Sequence, residues 1–251
     1  MKKKILYLIL IFLPLKSFAQ LTDGMTGLLH LVNAEVQKDG TFMLGGNMLH
    51  KNNVPSKRWW GDYNTYNYYI NLTLFDRIEI AYICTLVQGK EGIYHWPSFT
   101  WGKFVNQDRH FAGKIQLVKE GEWWKHMPAI AVGVSDPTTG GGSDYLSMNN
   151  TSSGNAFFHR YFAAITKHLN TKWGVLGLHA TYLKNNRKEY PLNGLGWGVN
   201  FRPDFHKNLN IIVEHDTKTL NVGAIYSLWA DHFNFLFELQ EGKYISCGLV
   251  Y

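Results

Sequence analysis

The sequence predicts an all-β protein: a single antiparallel up-and-down transmembrane β-barrel of about twelve strands, with short turns at one end and longer loops at the other. Apolar and polar residues alternate with period 2 along most of the chain, as in strands whose two faces meet different surroundings. Aromatic residues, which favour strands, make up 15% of the 251 residues, whereas only 18% are charged. After residue 19, no apolar run reaches the roughly 20 residues that a membrane-spanning helix needs.

The first 19 residues predict a cleaved signal peptide rather than part of the fold. Residues 2–4 are lysines, residues 5–15 are largely apolar, and residues 17–19 place small side chains before the expected cleavage site. We therefore expect export to the outer membrane of a Gram-negative cell. This segment also supplies most of the formal net charge of +6. Because no run rich in Lys or Arg remains, nucleic acid is not an expected partner.

The rest of the chain divides into a short leading segment and the barrel itself. Residues 41–251 carry the strands of the outer-membrane barrel. Residues 20–40 form an N-terminal segment that is expected either to lie in the lumen or to add an extra strand, for which 27–36 is the less certain candidate.

The clearest strands lie in the C-terminal third, where Phe233, Phe235 and Phe237 alternate with Asn234 and Glu238. The four strands there are joined by very short turns and predict an antiparallel meander: 209–216, 221–228, 233–240 and 244–251. Eight more strands precede them, most about 8–11 residues long, which suits a tilted strand crossing a bilayer. These are 42–48, 67–74, 77–86, 110–119, 128–135, 157–167, 173–183 and 194–202.

The connections predict which ends of the barrel carry loops. The long connections are rich in Gly, Asn, Ser and charged residues: 51–64, 88–109, 136–156 and 184–193. Tight turns are expected at Asp76-Arg77, Thr217-Lys218, Asp231-His232 and Glu241-Gly242. Long loops at one end and tight turns at the other are typical of outer-membrane barrels. Tryptophans near strand ends suit a membrane interface: Trp59, Trp60, Trp123, Trp124, Trp173, Trp197 and Trp229.

A secreted soluble β-sandwich or lipocalin-like barrel remains the alternative fold. Such a protein would also alternate, but its outer face should carry charge. The polar faces here are mostly small residues with isolated charges, which suits an enclosed lumen better than a water-facing exterior.

Strand parity predicts which polar side chains face that lumen. The candidates carry both signs of charge: Arg77, Glu79, Lys114, His179, Arg202, Glu214, Asp216, Lys218 and Glu238. One interpretation is a plug of paired charges, since buried charges must be paired. Another is a polar path for a hydrated solute, and a third is catalysis.

The motifs for catalysis and for cofactors are weak, and we predict no catalytic residues, no cofactor and no metal site. A Ser two residues after a His would place a nucleophile and its base on one strand face, as in some barrel enzymes, but no His-x-Ser occurs. His179 and Thr181 are the nearest approach. No two histidines have ligand spacing on one strand. Cys84 and Cys247 allow at most one disulfide, and the spacing leaves it open.

Several segments are similar to the motifs of a known family. Thr26-Gly27-Leu28-Leu29 is similar to its opening motif, Gln107-Asp108-Arg109 to its second signature, and Pro128 to Gly133 with Asp136 to its most specific stretch. Val213-Glu214-His215-Asp216 is similar to its late Glu-x-Asp strand. With these segments the chain resembles the YjbH-like family of outer-membrane β-barrel proteins linked to exopolysaccharide biosynthesis. The family-motif positions of this chain are Gly27, Asp108, Lys114, Glu120, Gly133, Asp136, Glu214 and Asp216.

The resemblance implies a role in making, exporting or positioning an extracellular or capsular polysaccharide, without a known catalytic mechanism. We expect a non-enzymatic conduit, a porin-like channel or a docking partner, with outer-membrane lipid, polysaccharide or polysaccharide-export proteins as partners. A barrel enzyme that modifies lipid or glycan is the alternative function.

Overall fold

The computed structural model describes residues 23–54, 63–92, 96–137, 158–185, 192–229 and 232–251, which include one closed barrel of twelve antiparallel strands. A 3-10 turn, Ser98–Thr100, lies in one connection. In chain order the strands are β1 Phe42–Leu49, β2 Thr65–Leu74, β3 Ile78–Gln88, β4 Phe104–Val118, β5 Ala129–Ser135, β6 Arg160–Thr171, β7 Gly174–Lys184, β8 Gly194–Pro203, β9 Leu209–His215, β10 Leu220–Leu228, β11 Phe233–Gln240 and β12 Tyr244–Val250.

Each strand pairs with its neighbours in sequence, and β1 pairs with β12 to close the sheet. In the closing pair Gly45 faces Val250 and Met48 faces Cys247. A closed sheet has no unpaired edge, so the strands satisfy one another's backbone groups. The expected all-β, up-and-down, closed barrel of about twelve antiparallel strands is confirmed, including the C-terminal meander.

The two faces of the sheet differ as the alternation predicts. On β11, Phe235 and Phe237 point outward and are 48% and 45% exposed, whereas Glu238 points inward and is fully buried. The interior is mixed rather than purely polar, because Ile212 and Leu236 are buried there beside the charged groups.

The four connections that the sequence predicts to be long leave the same end of the barrel, which we call the loop end. They run over 50–64, 89–103, 136–159 and 185–193. The opposite end, the turn end, carries the connections 75–77, 119–128, 172–173, 204–208 and 229–232. The tight turns 216–219 and 241–243 lie at the loop end, and the connection 119–128 at the turn end is longer than 185–193, so the expected separation of loops from turns is incomplete. In an up-and-down barrel, connections alternate between ends whatever their length.

The β3–β4 hairpin is longer than the alternation predicts. β4 begins at Phe104 rather than near residue 110, because pairing with β3 continues through Asn106 and past an irregularity between Val87 and Gln88. Residues 104–107 are exposed on both faces of this strand. Part of the predicted long loop is therefore strand.

Every connection at the turn end carries at least one exposed aromatic side chain. Trp173, Phe205 and Trp229 are 65%, 86% and 72% exposed, and Phe75, Trp123 and Trp124 complete the set. We call these six side chains the aromatic girdle. Of the other predicted interfacial tryptophans, Trp197 lies within β8, and Trp59 and Trp60 lie outside the described residues.

Residues 23–37, which we call the N-terminal segment, lie inside the barrel. They form no strand of the sheet: the Leu28 N–H donates to the Leu31 carbonyl (2.8 Å) in a tight turn, next to an isolated bridge between Gly27 and Val32. Residues 23–34 are all buried. The segment contacts inward-facing residues of β2–β4 and β6–β11.

Three expectations from the sequence remain: the disulfide, the signal peptide and one tight turn. Cys84 is buried on β3 and Cys247 exposed on β12, and both are free thiols. The predicted signal peptide, residues 1–19, and the turn residue Asp231 lie outside the described residues. Among the residues that are described, no helix has the length and apolar character needed to cross a membrane.

Candidate functional site in the barrel lumen

Glu214 holds the tip of the N-terminal segment. Its carboxylate accepts hydrogen bonds from the backbone N–H groups of Leu29 (2.9 Å), His30 (2.7 Å) and Leu31 (3.3 Å). The tight turn at residues 28–31 points these three donors to one side, and strand parity points Glu214 toward them. A carboxylate that receives several N–H donors makes strong, charge-assisted hydrogen bonds.

His30 lies between two further carboxylates. Its Nδ1 is 2.9 Å from Asp216 Oδ2, and its Nε2 is 3.0 Å from Glu238 Oε1. Burial alone would lower the pKa of His30, but the Glu238 and Asp216 carboxylates outweigh burial and raise this pKa well above its usual value. His30 is therefore a cation at neutral pH and compensates part of the negative charge. Asn221 donates to Asp216 (3.0 Å) and completes the cluster.

A second buried ion pair holds the start of the segment. Lys114 Nζ lies 2.6 Å from Glu79 Oε2, and both side chains are fully buried. Lys114 also donates to the Thr26 carbonyl (3.0 Å), while the Thr26 hydroxyl donates to Glu79 (2.8 Å). Glu79 and Lys114 face each other on β3 and β4, so the sheet register brings this pair together.

A third pair joins Asp23 to Arg160 at the first residue of β6. The Arg160 guanidinium donates to the Asp23 carboxylate, and both side chains are fully buried. The N-terminal segment thus contributes both a cation and an anion to charge pairs with the barrel wall. Because buried charges are costly unless paired, the filled lumen depends on this matching.

Glycines of the wall make room for the leucines of the segment. A side chain at Gly223 would meet Leu29 Cδ2 at 2.6 Å, and one at Gly196 would meet Leu31 at 2.7 Å. A side chain at Gly198 would likewise collide with Leu28. The leucines therefore pack directly on the strand backbone, at positions where any larger residue would collide with them.

The nine residues expected to face the lumen are placed as follows. Six are buried inside: Glu79, Lys114, His179, Glu214, Asp216 and Glu238. Arg202 is half-buried on the same face of β8 as Asn200. Two lie elsewhere: Arg77 pairs with Glu122 at the turn end, and Lys218 is exposed in the turn after β9. Both stand outside their strands, where period-2 parity no longer applies.

His179 belongs to a chain of side-chain contacts across three strands. Its Nδ1 lies 3.0 Å from the Thr166 hydroxyl and its Nε2 lies 2.8 Å from Asn200 Oδ1. The hydroxyl partner is therefore Thr166 rather than Thr181, which donates to the Val32 carbonyl. Thr166 also accepts from the Ala34 N–H (3.0 Å), so the N-terminal segment covers this hydroxyl.

The remaining family-motif positions are spread over the barrel. Gly27 lies in the segment's tight turn, and Gly133 lies under the ring of Phe162 on the neighbouring strand. Glu120 lies at the turn end, 2.8 Å from Lys167 Nζ. Burial alone would raise the pKa of Glu120, but its hydrogen bonds with Lys167 and His168 lower it.

Several buried charged or titratable residues were not predicted from the sequence, and four of them take part in the groups described here. Arg160 and His110 stand on inward positions of predicted strands, so parity could have found them. Asp23 and His30 belong to a segment without strand periodicity, and no sequence signal places them. His110 lies with Asp108 and Asp136, two of the motif positions, in a buried group at the loop end.

The comparisons with known proteins give one result that bears on identity. No curated protein matches the chain. The model of the YjbH family, described as "Exopolysaccharide biosynthesis protein YbjH", matches residues 20–182. This range covers the N-terminal segment and β1 to most of β7, which is more than half of the chain. The chain therefore belongs to the YjbH exopolysaccharide biosynthesis family.

Proposed function

We propose that this protein is an outer-membrane β-barrel that serves exopolysaccharide assembly as a non-enzymatic docking component, with its lumen closed by its own N-terminal segment. Family membership supports the link to exopolysaccharide. The closed lumen is the observation that favours docking over transport.

The outer surface supports a membrane location. Large apolar side chains on the outside are widely exposed, with Ile80, Phe111 and Leu195 between 45% and 62%. Such a surface is unfavourable in water and favourable against lipid. The aromatic girdle at the turn end suits the boundary between lipid and water, where tryptophan is enriched.

The lumen supports docking rather than conduction. Among the described residues Lys114 and Arg160 are fully buried, which supports a lumen that is filled around these charges rather than open to water. A polysaccharide is wider than water and needs a larger opening. We therefore assign the outer ends of the barrel, rather than the interior, as the surfaces that meet the export machinery.

We expect the purified full-length protein to fractionate with outer membranes and to require detergent. After reconstitution in planar bilayers, it should give no steady ion conductance above that of the protein-free bilayer. A sustained open-channel current from the wild type would contradict the docking proposal and favour a conduit. Recovery from the periplasm without detergent would contradict the membrane location.

The alternative function, a barrel enzyme, would depend on His179. In a lipid-deacylation and glycan-release assay we expect no turnover by the wild type, because Thr166 and His179 are buried beneath the N-terminal segment. Turnover that is abolished in His179→Ala, but kept in the exposed control His206→Ala, would establish the enzyme instead.

A further inference from the structure

The buried group at the loop end has the composition of a metal site. Asp108 and His110 alternate on the inner face of β4, and Asp136 follows the last residue of β5. One ligand atom from each residue lies within 4.8 Å of the others, and all three side chains are buried. Ligand atoms around a tetrahedral zinc ion stand about 3.4 Å apart, so side-chain rotations that move these atoms by about 1 Å bring the three onto one ion.

His110 supplies the independent indication that something binds here. Its side chain is 2% exposed, and neither Nδ1 nor Nε2 has a hydrogen-bond partner. A buried imidazole without partners is costly, because both nitrogens have lost water and gained nothing. The ring is nevertheless held in place, since it stacks on Phe158 with the ring centroids 4.8 Å apart.

The backbone around Asp136 is also fixed. Asp136 has φ of 52°, its N–H donates to the Phe111 carbonyl (2.8 Å), and its own carbonyl lies 2.8 Å from His159 Nδ1. These contacts hold the Asp136 backbone at the end of β5. The nearby cation Arg160 is paired with Asp23.

The other acidic group of the lumen lacks this character. His30 Nδ1 and Nε2 already face Asp216 and Glu238 at 2.9 and 3.0 Å. In that cluster the imidazole is already held by two carboxylates and offers no free nitrogen to an ion. The two groups of similar composition therefore differ in whether the imidazole is already engaged.

We propose that Asp108, His110 and Asp136 form a binding site for a divalent transition-metal ion of the zinc type. One imidazole nitrogen with two carboxylate oxygens suits zinc, whereas Ca²⁺ and Mg²⁺ prefer oxygen alone. Three protein ligands leave a coordination position for water. The ion ties β4 to the base of the 136–159 connection, which leaves the barrel at its loop end. This inference revises the sequence expectation of no metal and does not depend on the polysaccharide role.

The test uses full-length protein in detergent, loaded with Zn²⁺ and dialysed, with metal content measured by mass spectrometry and affinity by competition with a chelating dye. We expect about one Zn²⁺ per chain in the wild type. His110→Ala should weaken binding by more than about tenfold, because it removes a direct ligand. His206→Ala, which removes an exposed histidine at the turn end, should bind as the wild type does.

Asp136→Asn is the second variant, chosen because its substitution leaves the strand ladder intact, and it should weaken binding similarly. Co²⁺ absorption gives an independent readout of nitrogen and oxygen ligation. Wild-type protein that retains no zinc would overturn the inference, as would His110→Ala binding as tightly as the wild type. Loss of binding in His30→Ala, with His110→Ala unaffected, would place the ion in the other cluster and equally overturn it.

Discussion

Glu214→Ala is expected to destabilise the protein by about 3–5 kcal/mol and to release the N-terminal segment. The substitution leaves three buried N–H groups, those of Leu29, His30 and Leu31, without their acceptor. Each unsatisfied buried donor costs about 1–3 kcal/mol. Urea unfolding followed by tryptophan fluorescence measures the loss of stability, and amide hydrogen exchange measures the release of the segment.

The exchange measurement separates release of the segment from collapse of the barrel. Amides of residues 28–31 should exchange at least about 100-fold faster in Glu214→Ala, while strand amides stay protected. Glu91→Ala, which removes an exposed carboxylate from the β3–β4 connection, should change neither quantity. Unchanged exchange at residues 28–31 in Glu214→Ala would mean that the segment is held by other contacts.

Lys114→Met is expected to cost about 3–5 kcal/mol, because it leaves the fully buried Glu79 carboxylate without its cation. It also removes the hydrogen bond to the Thr26 carbonyl. The double variant Glu79→Gln with Lys114→Met should recover most of this loss, since no buried charge then lacks a partner. Urea unfolding of the four members of this double-mutant cycle gives the coupling energy.

The control for this cycle is Lys207→Met, because Lys207 is exposed at the turn end. It should change the free energy of unfolding by less than about 0.5 kcal/mol. If the double variant is as unstable as the sum of its single variants, Glu79 and Lys114 act independently, and the ion-pair account fails.

The fold could largely be predicted from the sequence, because the two faces of a barrel strand meet different surroundings. Phe235, Phe237 and Glu238 were placed correctly by parity alone. Parity failed at Arg77 and Lys218, which lie in turns, where the backbone no longer alternates. It also missed the first part of β4, since residues 104–107 are exposed on both faces and carry no alternation.

The candidate site was much harder to predict from the sequence, because it depends on contacts between residues far apart in the chain. Glu79 and Lys114 were expected inside, and strand register could have paired them. Nothing in the sequence indicated that the partner of Glu214 is the backbone of residues 29–31. Nor did it indicate that the wall glycines at 196, 198 and 223 make room for leucines of the N-terminal segment.

The position of the segment at the start of the chain imposes an order of events on biogenesis. Leu29 leaves the ribosome 185 residues before Glu214, its acceptor. Its neighbour His30 is even farther in sequence from its own partner, Glu238, which lies on the penultimate strand. Such distant contacts form slowly. The segment can therefore complete its contacts only after β9 and β11 have joined the sheet, so we expect filling of the lumen to be among the last steps of folding.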